Sequence, residues 1–302
     1  MKTNTVLILA TLLALTAMVG AQSTINSSDK YAYGANTGWM DFRSTPTYGV
    51  VVGEAYLSGR IYAANFGWIS AGDGSPVNGH TYSNAAANDT GVNHDGAGNL
   101  SGYGYSGNIG WINFGWASAN DPNRPHFDLL TGQFSGYAYS ANTGWINLNG
   151  NLTTDTLSCP DKDTDAMADP WEYQKFGDLV TSEIGTDRDG DGQSDAAEYA
   201  ADTDPHNPGE YLRIISQRYN APVTRVVLEF STTRPTRKYL IQTSTTLLGG
   251  HEEGDWIMIG REFLGESGTT SASVRFDSGP RRFFRVVAQK PLQSARDNRC
   301  RA

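Results

Sequence analysis

The stretch "YAYSANTGWINLNG" at residues 137–150 occurs in closely similar form at three earlier places in the chain: "YAYGANTGWMDF" (31–42), "RIYAANFGWISA" (60–71) and "YGYSGNIGWINF" (103–114). In every copy a Tyr lies six residues before the Trp, an Asn three before it and a Gly directly before it. Alternating aromatic residues, then Asn-x-Gly, then a second alternating run predict a tight β-hairpin with a type I turn and the glycine in a G1 bulge. The repeated residues are Tyr33, Tyr62, Tyr105 and Tyr139; Asn36, Asn65, Asn108 and Asn142; Gly38, Gly67, Gly110 and Gly144; and Trp39, Trp68, Trp111 and Trp145.

Each repeat needs its neighbours to bury a face. A further strand is expected upstream of three of the copies, so a unit holds roughly three short strands, and such units must stack or close on one another. The sequence therefore predicts one all-β repeat domain over residues 25–152. With this turn each Tyr shares a face with its Trp, and recurrence at fixed strand positions favours an aromatic core with mostly buried tryptophans. The alternative is an exposed glycan-binding platform, with the loop at residues 72–91 or Trp116 as further candidates.

The acidic residues are concentrated in one segment. The chain carries a net charge of −9, but residues 155–204 alone carry −12, whereas residues 210–302 carry +6. The acidic residues have regular spacing and hydrophobic residues between them, which favours a cation-binding segment over a solvated tail. The basic residues near the C-terminus are scattered along alternating strands, so a nucleic-acid partner is not expected.

Residues 187–198, "DRDGDGQSDAAE", match the twelve-residue calcium loop at every position that supplies a ligand. A cation of this size takes six to eight oxygens, which carboxylates, one backbone carbonyl, a water and a bidentate Glu would supply. Gly192 allows the sharp turn at position six. The predicted ligands are Asp187, Asp189, Asp191, the Gln193 carbonyl, Asp195 through a water, and Glu198.

A second calcium loop is predicted at residues 161–172, "DKDTDAMADPWE". Ala166 takes the place of the motif's glycine, and a non-glycine residue in left-handed geometry costs about 1–2 kcal/mol, so this site is expected to be weaker or distorted. The sequence thus predicts two Ca²⁺ ions in residues 155–209. The predicted ligands of this loop are Asp161, Asp163, Asp165, the Met167 carbonyl, Asp169 and Glu172.

Each loop is expected to lead into a short helix, at residues 170–176 and 196–201, and no helix is expected to enter either loop. Loop-then-helix pairs of this kind in exported proteins resemble thrombospondin type 3 repeats and dockerin modules. The resemblance covers about 50 residues and implies calcium ligation at the positions named. A dockerin would also imply a cohesin partner, but the short offset between the loops and the brief helices favour a structural spacer.

Six alternating runs separated by turn residues follow the acidic segment and predict a β-sandwich over residues 210–292. Residues 293–302 are expected to form a disordered tail. The two cysteines, Cys159 and Cys300, would be paired within the chain, paired between chains or unpaired, and the sequence does not decide among these. The fold class is mainly β: a repeat domain, a calcium-loop and helix segment, and a sandwich.

This order of GWI-type repeats, calcium loops and terminal sandwich resembles a group of secreted proteins from environmental bacteria for which we know of no established activity. The resemblance covers nearly all of residues 22–302. It implies the architecture and leaves the function open.

Export is predicted from the first residues. Lys2, an apolar run at residues 6–18 and the small-residue site at 19–21 are typical of a secretory signal cleaved before Gln22, so residues 1–21 are expected to be removed. No later apolar run approaches the roughly 20 residues that span a bilayer. We therefore expect a secreted or cell-surface protein.

No catalytic motif is present, and the five histidines, His80, His94, His126, His206 and His251, lack metal-ligand spacing. Asp95 and Asp128 would act as glycosidase acids only if folding brought them together. The sequence thus favours a secreted calcium-binding structural or adhesive protein without catalytic activity, with surface glycans or matrix as partners and no indication of a particular protein partner. The alternative is a glycan-binding module.

Overall fold

The computed structural model describes residues 22–118, 120–220, 224–246, 256–276 and 282–293. The predicted signal segment, residues 1–21, lies outside this part, as does nearly all of the predicted tail. The described residues are mainly β, as the sequence predicts, with two helices of seven residues each. The strands of the repeat module are β1 (Ile25–Gly34), β2 (Gly38–Asp41), β3 (Val51–Val52), β4 (Leu57–Ala63), β5 (Gly67–Gly72), β6 (Val92–His94), β7 (Leu100–Ser106), β8 (Gly110–Asn113), β9 (His126–Phe127), β10 (Phe134–Ser135), β11 (Tyr137–Ser140), β12 (Gly144–Asn147) and β13 (Leu152–Thr154).

The four repeats form four hairpins, β1–β2, β4–β5, β7–β8 and β11–β12. The glycine before each Trp has a positive φ, between 73° and 83°, which an L side chain rarely adopts. Each Tyr faces its own Trp across the hairpin, as in the pair Tyr33 and Trp39. The hairpins, the left-handed glycines and the shared Tyr–Trp face are therefore confirmed.

The four hairpins close into an eight-stranded antiparallel barrel, because β12 pairs back with β1. The Asn of each turn fastens its unit to the preceding one by donating from Nδ2 to the backbone carbonyl of the residue before that unit's glycine. Asn65 donates to Thr37 O (3.1 Å), and Asn36 donates to Thr143 O (3.0 Å) across the point of closure. Asn108 and Asn142 complete this ring of hydrogen bonds. The repeats thus close rather than stack in an open array.

The core of the repeat module is mostly aliphatic with a few phenylalanines, and the repeat tyrosines and tryptophans lie outside the barrel. Met40, Ile69, Ile112 and Ile146 are at most 2% exposed. The four repeat tryptophans are 43–55% exposed, so the predicted aromatic core is wrong. An eight-stranded barrel is only just wide enough to be filled by side chains, so four Trp and four Tyr cannot all lie inside it.

Helices α1 (Asp169–Lys175) and α2 (Asp195–Ala201) follow the two acidic loops, within one residue of the predicted starts and ends. They pack on one another through Trp171 and Tyr199, whose ring centroids are 5.2 Å apart. Met167, Ala168 and Ala196 complete a small core of their own. This core holds the two loops side by side.

Six further strands follow in the described residues: β14 (Arg213–Asn220), β15 (Arg225–Thr233), β16 (Lys238–Ser244), β17 (Ile257–Leu264), β18 (Gly268–Arg275) and β19 (Phe283–Gln289). They form two three-stranded sheets, ordered β14–β15–β18 and β17–β16–β19, which pack around Val226, Leu228, Phe230, Tyr239 and Ile241. All six strands predicted from the sequence are present, and their arrangement is sandwich-like.

Candidate functional sites

The loop at residues 187–198 is folded around its own carboxylates. Oxygens of Asp187, Asp189 and Asp191 lie within 4.8 Å of one another. Asp187 accepts from the backbone N–H groups of Gly190 (2.8 Å) and Gly192 (3.0 Å), which bends the loop back over its first residue. The structure therefore brings together the first three predicted ligands of this loop.

The other two carboxylates of this loop lie on α2. Asp195 is fully buried and accepts from Ser182 Oγ (2.7 Å) and from the Arg188 backbone N–H (3.1 Å). Glu198 is 1% exposed, and Thr203 Oγ1 donates to its Oε1 while its Oε2 has no partner. Burial and the nearby Asp189 and Asp191 raise the pKa of Glu198 to about 7. A buried carboxylate oxygen without a donor is what a cation would satisfy.

The loop at residues 161–172 repeats this hydrogen-bond pattern position by position. Asp161 accepts from the N–H groups of Thr164 (2.7 Å) and Ala166 (3.3 Å), and Asp169 accepts from the N–H of Lys162 (2.8 Å). Oxygens of Asp161, Asp163 and Asp165 converge within 4.8 Å. A second group of that size joins Asp163 and Asp169 to the glutamate at position twelve.

That glutamate, Glu172, has the least satisfied side chain of either loop. It is 0% exposed, and neither of its carboxylate oxygens has a hydrogen-bond partner. Burial, followed by repulsion from Asp165 and Asp163, raises its pKa to about 8. Asp169 differs, because Lys162 Nζ lies 2.8 Å from its Oδ2. The position and loss of solvation of Glu172 fit a bidentate metal ligand.

Loop 161–172 carries more backbone strain than the sequence alone suggests. Ala166 has φ 75°, as expected at position six, and Thr164 at position four also has a left-handed φ, of 66°. The matching positions of the other loop are Gly192 and Gly190, with φ of 94° and 78°. Two non-glycine residues in this region cost about 1–2 kcal/mol each, so the strain falls on one loop.

Both loops offer oxygen donors, which suit a hard cation such as calcium and not a thiophilic metal. The Met167 and Gln193 carbonyls remain predicted ligands. The backbone N–H groups of these residues donate to Asp165 Oδ1 (2.9 Å) and Asp191 Oδ1 (2.7 Å). Asp195 and Glu198 do not join a three-carboxylate group among the described residues. The spacing of the acidic residues predicted both loops, but it could not show which carboxylate oxygens lack a hydrogen-bond donor.

Helix α2 connects the two acidic loops to both β modules through Tyr199, the residue that follows Glu198. The Tyr199 hydroxyl donates to Glu54 Oε1 of the repeat module (2.6 Å), and its carbonyl accepts from Arg237 of the sandwich (2.8 Å). Lys290 Nζ, also from the sandwich, lies 3.4 Å from the centroid of the Tyr199 ring and forms an ion pair with Glu54. One side chain thus contacts three modules.

The junction around Tyr199 is buried and charged. Lys290 and Arg237 are each 7% exposed, and burial lowers the pKa of Lys290 to about 7 against the opposing effect of Glu54. The junction borders a cavity of about 360 Å³ that His80 and His94 also line. No sequence pattern indicates this cluster, because its members lie up to 236 positions apart and carry no motif.

The tryptophans of the repeats form an exposed belt, defined here as the four Tyr–Trp pairs on the outside of the barrel. Within each pair the ring centroids are 4.6–5.0 Å apart. Trp116, a predicted sugar-binding candidate, is half-buried against Trp145 and donates from Nε1 to Tyr137 O (2.5 Å). The belt satisfies the exposure that the glycan-binding alternative requires.

The remaining candidates from the sequence have local structural contacts. Asp95 accepts from the N–H groups of Ala97 and Asn99, and Asp128 from those of Leu130 and Thr131, so both carboxylates bind turns of their own loops. Cys159 is disulfide-bonded, and the chain's other cysteine, Cys300, lies outside the described residues.

No known protein family, curated protein or solved structure matches this chain. Within the described ranges, no helix is both long enough and apolar enough to cross a membrane.

Proposed function

We propose that this protein is an exported, calcium-dependent structural or adhesive protein without catalytic activity, in which two Ca²⁺ ions stabilise the joint between two β modules. The observation that carries the proposal is the pair of buried glutamates, Glu172 and Glu198, at position twelve of consecutive acidic loops, with unpaired oxygens. Burial of a charge is costly unless it is paired or binds a metal. Calcium ions would bind the unpaired oxygens of both glutamates.

The same ions would order the joint. Without a cation, the −12 charge of residues 155–204 repels itself, and the apolar surface available to oppose that repulsion is small. Binding gathers carboxylates from along each loop, so binding energy becomes folding energy. Because ligand Glu198 directly precedes Tyr199, ordering α2 also positions the side chain that contacts both β modules.

The test is limited proteolysis between residues 155 and 208 at about 1 mM calcium, a concentration suited to extracellular modules, and in chelator. Calcium should protect the wild-type segment, and Glu198→Gln should abolish the protection. Glu183→Gln is the matched control, because Glu183 is exposed in the same segment and its substitution removes the same single charge. Equal cleavage in all samples would mean that the segment is an acidic linker.

Export is tested separately, by N-terminal sequencing of secreted protein. Mature material should begin at Gln22. Recovery of an uncleaved chain in the membrane fraction would contradict the proposed location.

A second candidate function, glycan binding, is favoured by one observation: the four repeat tryptophans are half-exposed instead of forming a core. Large aromatic residues on a surface commonly mark binding sites, since leaving them in water forgoes their burial. Quenching of tryptophan fluorescence, together with binding to a glycan array, would test this candidate independently of calcium. The two candidates are compatible, because the belt and the loops lie in different modules.

A further inference from the structure

The barrel closure gives the exposed belt a regular chemical composition. The residue two positions after each Trp pairs across the unit boundary with the Tyr of the next repeat. Asn113 faces Tyr139 in this way, and Asn147 faces Tyr33 across the closure point. Each unit boundary therefore carries an indole, a phenol and a short polar side chain on one outer face. The polar members are Asp41, Ser70, Asn113 and Asn147.

The belt also offers hydrogen-bond donors that the protein does not use. Among the described residues, the indole N–H groups of the four tryptophans and the hydroxyl groups of the four paired tyrosines make no hydrogen bond. Asn113 and Asn147 use Oδ1 to accept from the N–H groups of Gly115 (2.8 Å) and Asn149 (2.9 Å). The Nδ2 of Asn113 makes no hydrogen bond in this part of the chain and remains a donor for a ligand.

The belt is close to electrically neutral. The one acidic residue among the four polar residues that flank the belt, Asp41, forms an ion pair with Lys30 at 2.8 Å. Arg60 is the one cationic residue among the positions two before the paired tyrosines. A neutral surface of aromatic faces interleaved with hydrogen-bond donors suits a neutral ligand that presents both C–H faces and hydroxyl groups. A pyranose ring has that chemistry, whereas an anionic polymer would need a cationic surface.

The four groupings recur around a closed barrel, one at each unit boundary. The strands of successive units are two positions apart, about 10 Å in the hydrogen-bonding direction, and side chains on the outer face of a closed barrel lie further apart than their strands. A polysaccharide chain long enough to reach two groupings would gain avidity that a free monosaccharide lacks.

We propose that the outer face of the barrel is a repeated binding surface for a neutral polysaccharide, with one pyranose subsite at each of the four Tyr–Trp–polar groupings. This inference rests on the glycan-binding candidate function and is independent of the calcium joint. In each subsite the Trp and Tyr rings contact the sugar face, and the short polar residue binds its hydroxyl groups.

The test is native affinity electrophoresis of the calcium-loaded mature chain in gels that contain hydroxyethylcellulose, glucomannan, galactomannan or laminarin. At least one polysaccharide should retard the protein, and its constituent monosaccharide should compete roughly 10²-fold less well per sugar residue. Trp68→Ala and Trp111→Ala should each weaken retardation several-fold, and the double variant should weaken it further. Tyr48→Ala is the control, because Tyr48 is 62% exposed in the same module outside the belt.

A second set of variants covers the event that the tryptophan variants fold poorly. Asn113→Ala and Ser70→Ala leave every ring in place and should still weaken retardation by the same polysaccharide. The absence of retardation in all four gels would overturn the proposal, as would retardation that these variants leave unchanged. A concentration-dependent dimer in sedimentation velocity, lost in the double tryptophan variant, would assign the belt to self-association instead. Calcium protection of residues 155–208 is scored on the same preparations, so the joint and the belt can fail separately.

Discussion

Replacing Ala166 by glycine should strengthen calcium binding at the loop of residues 161–172. Ala166 has φ 75° beside the buried Met167, so the folded loop holds a non-glycine residue in the left-handed region. Relief of left-handed strain contributes about 1–2 kcal/mol. The additional conformational entropy that glycine loses on folding offsets about 0.5–1 kcal/mol of this.

The midpoints of these two ranges leave a net gain of about 0.75 kcal/mol, which corresponds to calcium affinity roughly 3- to 4-fold higher. The gain appears in the affinity only if the metal-free loop is unfolded, because strain present before and after binding would cancel. The experiment therefore measures the coupling of folding to binding as well as the strain.

The assay is calorimetric titration of calcium into Ala166→Gly, in a Glu198→Gln background that removes the other site. The matched control is Gly192→Ala in a Glu172→Gln background. Gly192 has φ 94°, and a Cβ there would meet no atom within 4 Å, so its cost is confined to the backbone. The control should lose about the same factor. An unchanged or lower affinity for Ala166→Gly would refute the reasoning.

Three further predictions concern the barrel and the effect of pH. Ile112→Ala should cost about 2–5 kcal/mol of unfolding free energy, because Ile112 is 1% exposed. Trp111 is half-exposed, so Trp111→Ala should cost only about 1–2 kcal/mol, mainly through loss of its aromatic pair. Urea titration compares the two variants, and equal costs would contradict the orientation of the strands. Asn65→Ala should cost about 1 kcal/mol by removing the bond to the Thr37 carbonyl, and a neutral result in the same titration would mean that the Asn ring does not stabilise the closure. In chelator, stability should fall as pH rises from about 4.5 to 8. The reason is that Glu172 and Glu198 have raised pKa values, about 8 and about 7, and bind more protons in the folded chain than in the unfolded chain. Saturating calcium should remove this dependence in thermal melts, and a rise in stability over that pH range would contradict the prediction.

The local elements of this protein follow from its sequence because each depends on contacts within a few residues. Asn-x-Gly between alternating runs determines a hairpin, and the glycine takes the positive φ that the turn requires. The acidic spacing at residues 187–198 determines which oxygens can converge, since the predicted ligands belong to one loop and the helix that follows it. Strand β15 of the sandwich buries alternate residues in the period-two pattern that its sequence predicts.

Which side of the barrel is the core was decided only by the tertiary structure. Period-two alternation places Tyr105 and Trp111 on one face and Ile112 on the other, and both faces are apolar, so the pattern cannot say which one is buried. Closure into eight strands decides it, because the enclosed space accommodates aliphatic residues and excludes the belt. The charged junction of Glu54, Tyr199 and Lys290 was equally inaccessible to the sequence. Its members come from three modules and meet only after each module has folded, so no local spacing records their contact.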